Sequence, residues 1–157
     1  MPFFNNNPKK RYKKPVKLGI KPFNYHPKII LAWAKAIEGN KELLKYLIDN
    51  EFNELAMATY AIQLKDEARE WLMNNGFPHV MAMINAAEGN EDALDWLKKN
   101  KFDLFYNMAR AIDGENEGLI WIRKHCTPDI FILTTSIKKV KDEIEEFNND
   151  LHKRSTD

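Results

Sequence analysis

The sequence predicts an all-α protein: a right-handed or unspecified α-solenoid of about five two-helix repeats, finished by a long C-terminal capping helix. Three observations predict it: a 25-residue self-similarity without insertions, columns of matched residue types, and apolar residues at helical spacing. Writing residues 28, 53, 78, 103 and 128 as position 1 aligns five segments with no gap. Position 9 then reads Ala36, Ala61, Ala86, Ala111 and Ser136, and position 19 reads Tyr46, Trp71, Trp96 and Trp121. Position 20 is Leu47, Leu72, Leu97 and Ile122, and position 25 is Phe52, Phe77 and Phe102. A fixed period shared by independent columns is the signature of a repeat architecture.

Within each unit, positions 3, 6 and 10 are apolar at helical spacing, as in Ile30, Trp33 and Ile37, or Phe105, Met108 and Ile112. These define a first helix, A. Gly39, Gly89 and Gly114 at position 12 suit its C-terminus, because glycine takes the left-handed conformation without a Cβ clash. Leu64 replaces that glycine in the second unit, so a different turn is expected there. The second helix, B, carries Leu43, Leu44, Tyr46 and Leu47 in the first unit, with Arg69 the main departure from the pattern. Its first turn holds Glu42, Glu67, Asp92 or Glu117, which complement the positive end of the helix dipole. Asn50, Asn75 and Asn100 stand where helix B stops, as candidates for a left-handed cap, with the following Phe folding back over the helix end. Helices this short are unstable alone and must bury their faces on one another. Small residues at position 9 permit close approach, and the aromatic column at position 19 is expected to fill the gaps between units. A fully buried Trp in that column would cost about 3–5 kcal/mol on truncation to Ala.

The ends of the array depart from the pattern. Ile130, Leu133, Ile137, Val140, Ile144, Phe147 and Leu151 run in unbroken 3,4 spacing, predicting one helix over 129–152. It is expected to pack along the fourth unit as a cap in a monomer, with dimerisation through 129–152 as the alternative. Residues 1–26 contain Pro2, Pro8, Pro15, Pro22 and the run Asn5 to Asn7, and read as a basic extended or disordered arm. The helical-repeat domain then spans 27–152, with a tail over 153–157.

A chain of 157 residues with 44% hydrophobic and 30% charged residues can bury a core without disulfides or metals. Net charge is +1, but the first 26 residues hold seven basic and no acidic residues. The remainder carries 17 basic against 23 acidic residues, a net of −6. The lone Cys126 has no internal partner, the N-terminus lacks the pattern of a signal peptide, and no apolar run approaches the ~20 residues of a membrane span. These features predict a cytoplasmic protein without a membrane segment.

The stretch from Ala86 to Asn100, with Ala86, Ala87, Gly89, Leu94 and Leu97, resembles the helix pair of an ankyrin repeat: two small residues, a glycine between the helices and a leucine-rich second helix. It departs from that family in its period of 25, in leaving no room for a β-hairpin, and in lacking the Thr-Pro-Leu-His signature. The resemblance covers the helices of the first four units. It implies stacked helical pairs and a protein-binding role.

Catalytic patterns are absent from the sequence. His26, His79, His125 and His152 are scattered, with no partner at metal-ligand spacing, and there is no nucleophile elbow, phosphate-cradling glycine loop or Cys-x-x-Cys. Cys126 beside His125 reads as inert, because neighbours in sequence point apart. No enzyme activity, cofactor or metal is expected. The acids at position 11 (Glu38, Glu88 and Asp113) are expected to reach across the turn to the free amides of helix B, or else to form an acidic ridge. The candidate partner-binding face lies on helix A: Lys35, Tyr60, Met81, Asn85, Tyr106 and Arg110, residue types enriched in interfaces. The leading expectation is a non-catalytic interaction module binding a protein or peptide along that face. The alternative is nucleic-acid binding through Lys9, Lys10, Arg11, Lys13 and Lys14, since basic residues neutralise phosphates and the interleaved aromatics can stack on bases.

Overall fold

The computed structural model describes residues 19–155. Among them the regular elements are all helical: α1 (Pro27–Ile37), α2 (Lys41–Asp49), α3 (Asn53–Ile62), α4 (Asp66–Asn74), α5 (Pro78–Ala87), α6 (Glu91–Lys99), α7 (Asp103–Ile112), α8 (Asn116–His125) and α9 (Pro128–Ser155). The odd-numbered helices are the A helices of the repeat and the even-numbered ones the B helices. Position 9 is buried in all five units, and positions 6 and 10 are buried throughout, from Trp33 and Ile37 to Leu133 and Ile137. The A helices therefore carry the core, and the B helices cover it from outside.

The same turn chemistry closes helix A in the first four units. Gly39, Gly89 and Gly114 hold φ near 100°, and the amide one residue on bonds back five residues, as Asn40 N to Lys35 O at 3.0 Å. The second unit does not differ as expected. Leu64 takes φ 67°, and Lys65 N bonds to Tyr60 O at 3.0 Å, so the turn is conserved with a leucine held in the strained left-handed conformation. At the end of helix B the asparagines are not the left-handed residues. Asn50, Asn75 and Asn100 have negative φ, and each side-chain amide donates to the carbonyl four residues back (Tyr46, Trp71 and Trp96) at 2.8 Å. The left-handed position falls one residue later, on Glu51, Gly76 and Lys101. The Phe amides then close the helix end by bonding to Leu47, Leu72 and Leu97.

The aromatic column does not fill the core. Tyr46 is 44% exposed, and Trp71, Trp96 and Trp121 are only partly buried. One residue further round helix B, Leu47, Leu72, Leu97 and Ile122 are fully buried. Position 19 thus lies at the edge of the buried stripe. Trp71 stacks on Phe77, Trp96 on Phe102, and Trp121 on the His125 ring. The buried tryptophan is Trp33 of α1, whose indole N–H donates to Thr59 Oγ at 3.1 Å, while Thr59 donates to the Leu55 carbonyl. Packing is tightest between α7 and α8. A Cβ on Gly118 would lie 2.5 Å from the Asn107 carbonyl oxygen and 2.7 Å from the Ala111 nitrogen, so only glycine fits.

The long helix extends slightly beyond the expected 129–152 and does more than cap the fourth unit. α9 packs against α7 and α8, touches α3, and packs most extensively along α1, at the opposite end of the chain. Ser136 Oγ donates to Glu38 at 3.2 Å and Lys139 Nζ donates to the same carboxylate at 3.3 Å. Contacts from α1 to α3, α3 to α5, α5 to α7, α7 to α9 and α9 to α1 make a closed circuit of A helices.

Candidate interaction surface

The circuit has two ends. At the N-terminal ends of the A helices, residues 19–26 run without regular structure across the apolar side chains. Lys21 N donates to Gly76 O at 2.9 Å. Phe23 meets Phe105 edge-on at 5.0 Å and lies 5.9 Å from Trp33. Tyr25 donates to Glu54 at 2.6 Å, and burial together with that carboxylate pushes its phenol pKa far up. Beneath this strap His79 is 2% exposed among Phe77, Phe102 and Phe105. Neither ring nitrogen completes a hydrogen bond, although the Lys21 backbone lies against the ring. Burial holds the imidazole below its ordinary pKa, opposed only in part by that backbone.

At the C-terminal ends of the same helices lies an open cleft of about 210 Å³. Ile62 and Leu64 contribute from α3 and its turn, Ile84 and Ala87 from α5, Ile112 from α7, and Ile137 and Ile144 from α9. α9 makes no close backbone approach to α5, and the cleft occupies that interval. Its rim carries Glu88, Lys141, Glu145 and Asn148. Beyond it the seam of α9 continues outward as Phe147, 64% exposed, and Leu151, 48% exposed.

The position 11 acids neither reach the helix B amides nor stand as a free ridge. Asn40 and Asn90 cap those amides, accepting from Leu43 N and Ala93 N at 3.0 Å. Glu38 instead ties α1 to α9, Glu88 takes Arg69 from α4, and Asp113 takes Lys141 from α9 at 3.3 Å. Burial pushes the Glu38 carboxyl upward, but hydrogen bonds from Lys139 and Ser136 and the charges of Lys139 and Lys35 outweigh it, leaving the pKa below its usual value. Arg69, the misfit in the helix B pattern, is thereby explained. It donates to Asn85, to the Ala61 carbonyl and to Glu88, knitting α4 to α3 and α5.

The helix A residues singled out from the sequence do not form one free surface. Met81 is 2% exposed and belongs to the core, because neighbouring helices cover the stripe it stands on. Asn85 accepts from Arg69, and Arg110 is held by Glu115 and Glu117 while lying over the Tyr106 ring at 5.2 Å. Tyr60 and Tyr106 are partly buried, and Lys35 is exposed beside Glu38. Lys9, Lys10, Arg11, Lys13 and Lys14 lie outside the described residues. The sequence signals for the cleft were Leu64 in a glycine column and Ala87 in an isoleucine column, both visible in the alignment of units.

His26 caps α1 by accepting from Lys28 N, and His125 Nδ1 lies 3.0 Å from the Trp121 carbonyl. The Cys126 thiol is pushed up by burial and by Asp129, opposite to what a thiolate nucleophile requires. Among the described residues no group of three or more His, Cys, Asp or Glu is placed to hold a metal ion, and no helix is long and apolar enough to cross a membrane. No family model matches the chain, and no curated protein and no solved structure matches it.

Proposed function

We propose that this chain is a non-catalytic interaction module that binds a protein or peptide, and that the working surface is the cleft and the α9 seam rather than the flank of the A helices. The observation that supports this reading is one continuous apolar surface: Leu64 at 50% exposure, Ile144, Phe147 and Leu151. Large exposed apolar patches rimmed by polar residues mark interaction surfaces. The test is capture of a partner from native lysate at low and high salt, with wild type and Phe147→Glu. A salt-resistant partner bound by wild type and lost from Phe147→Glu is expected. A partner retained by the variant moves the surface elsewhere.

The basic residues Lys9, Lys10, Arg11, Lys13 and Lys14 favour a second reading, nucleic-acid binding. It predicts affinity for a labelled oligonucleotide that collapses with rising salt and is lost when these five are replaced by Gln. Binding unchanged by those replacements removes it.

A further inference from the structure

We infer that the cleft is a socket for one bulky apolar side chain of a basic peptide, an assignment that rests on the interaction-module reading. Two columns of the repeat change at this place, apart from Lys139, which replaces the position 12 glycine where α9 runs on without a turn. Position 10 is Ile37, Ile62, Ile112 and Ile137 in four units but Ala87 in the third, and position 12 is Gly39, Gly89 and Gly114 in three units but Leu64 in the second. Both exceptions line the cleft. Ala87 removes three carbons from a circle of isoleucines and leaves the floor of the cleft unfilled. Leu64 holds φ 67°, a conformation that strains any side chain, while exposing half of its surface at the mouth. Neither choice improves the packing of the chain itself. The first leaves a void, and the second adds a strained apolar side chain in water. An apolar group seated between them would fill the void and cover the leucine.

Size and charge define the occupant. Aliphatic cavities of about 150 Å³ hold benzene, so about 210 Å³ accommodates a Phe or Leu side chain. Around the mouth, the cations are already engaged: Arg69 by Glu88, and Lys141 by Asp113 and Glu145. Those three acids outnumber the two cations. Past the rim, α9 up to Asp150 has no basic residue and adds Glu143, Glu146 and Asp150 to Asp142, which pairs with Lys138. A cationic peptide is drawn to this mouth and an acidic one is repelled. The same charges disfavour a second copy of this chain, because pairing two such stretches of α9 sets acids against acids.

The test is fluorescence anisotropy of the full chain with three labelled peptides: Lys-Arg-Lys-Phe-Lys-Arg-Lys, its Ala-for-Phe counterpart, and Glu-Asp-Glu-Phe-Glu-Asp-Glu. The basic Phe peptide is expected to bind at least about ten-fold tighter than either of the others. Ala87→Ile, which fills the floor with the residue the other units use, is expected to erase the advantage of Phe over Ala. Glu145→Lys is expected to weaken the basic peptides without erasing that advantage. Equal binding of the Phe and Ala peptides overturns the socket, as does full Phe-dependent binding by Ala87→Ile. Self-association abolished by Ala87→Ile also overturns it, giving the cleft to a second copy. A lysate partner held equally by wild type and Ala87→Ile would leave the module standing with the socket lost. Phe-dependent binding to the cleft with no partner from lysate at any salt would do the reverse.

Discussion

At the N-terminal ends of α3, α5 and α7 the chain covers its apolar side chains with its own residues 19–26, whereas at the C-terminal ends of the same helices Leu64, Ile84, Ala87 and Ile144 line an open cleft. The two ends are built from the same repeat, so the difference comes from individual side chains. The covered end contains Phe23 and Tyr25, partly buried against the core, and a histidine with no hydrogen-bond partner beneath them. The open end contains an alanine where four isoleucines stand in the sister units. Buried aromatic packing is concentrated at the first end, and accessible apolar surface at the second.

Truncation should separate the two ends most sharply. Phe105→Ala removes a side chain that is 3% exposed and contacts Phe23 and His79, and should cost about 3–5 kcal/mol in chemical denaturation. Ile144→Ala, at the half-open cleft, should cost about 1 kcal/mol or less. Equal losses would mean that the cleft is as much a part of the core as the strapped end.

The next contrast is in acid. A histidine whose folded pKa is depressed binds its proton more readily when unfolded, so its contribution to stability is present above the unfolded value and is lost as pH falls below about 6.5. His79→Leu keeps an apolar side chain among the three phenylalanines and should flatten that part of the stability profile below about pH 6.5. Glu38 acts lower on the scale. Its depressed carboxyl stabilises the α1–α9 junction at neutral pH and ceases to do so as pH falls through its folded value. Glu38→Gln should therefore lower stability at pH 7 by about 0.5–1 kcal/mol and remove that acid-range slope. A variant whose acid profile matches wild type would place the pH sensitivity elsewhere.

The smallest change should be a gain. Leu64→Gly restores the residue used by three sister turns and relieves the left-handed leucine, against the added flexibility of glycine in the unfolded chain. A net stabilisation of about 0.5–1 kcal/mol is expected from thermal unfolding. Loss of stability on this change would show that Leu64 packs productively at the cleft mouth.

The repeat, the helix pairs and the long last helix were legible in the sequence because columns 6, 9, 10 and 20 answer to burial alone. Two readings failed where one residue of rotation matters. The conspicuous tryptophans at position 19 proved peripheral to the quieter leucines at position 20, and the left-handed residue came one place after the asparagines. The partner face failed for a different reason. Helical periodicity locates one buried stripe, but the A helices are covered on further sides, so Met81 entered the core and Arg110 found its own acids. Contact between α1 and α9 left no local signal, since Glu38 and Ser136 lie 98 residues apart.

That contact also governs how the protein is made. An open array gains stability unit by unit and tolerates the loss or addition of a repeat, because each unit answers only to its neighbours. Here the first helix is completed by the last, so the chain must bring its two ends together before α1 has its full packing, at the entropic cost of closing a loop of about a hundred residues. Folding becomes slower and more nearly all-or-none than local helix pairing alone would allow. During synthesis α1 leaves the ribosome long before its partner exists. The number of repeats is then fixed by geometry, since inserting or deleting one 25-residue unit would carry α9 away from the helix it must meet.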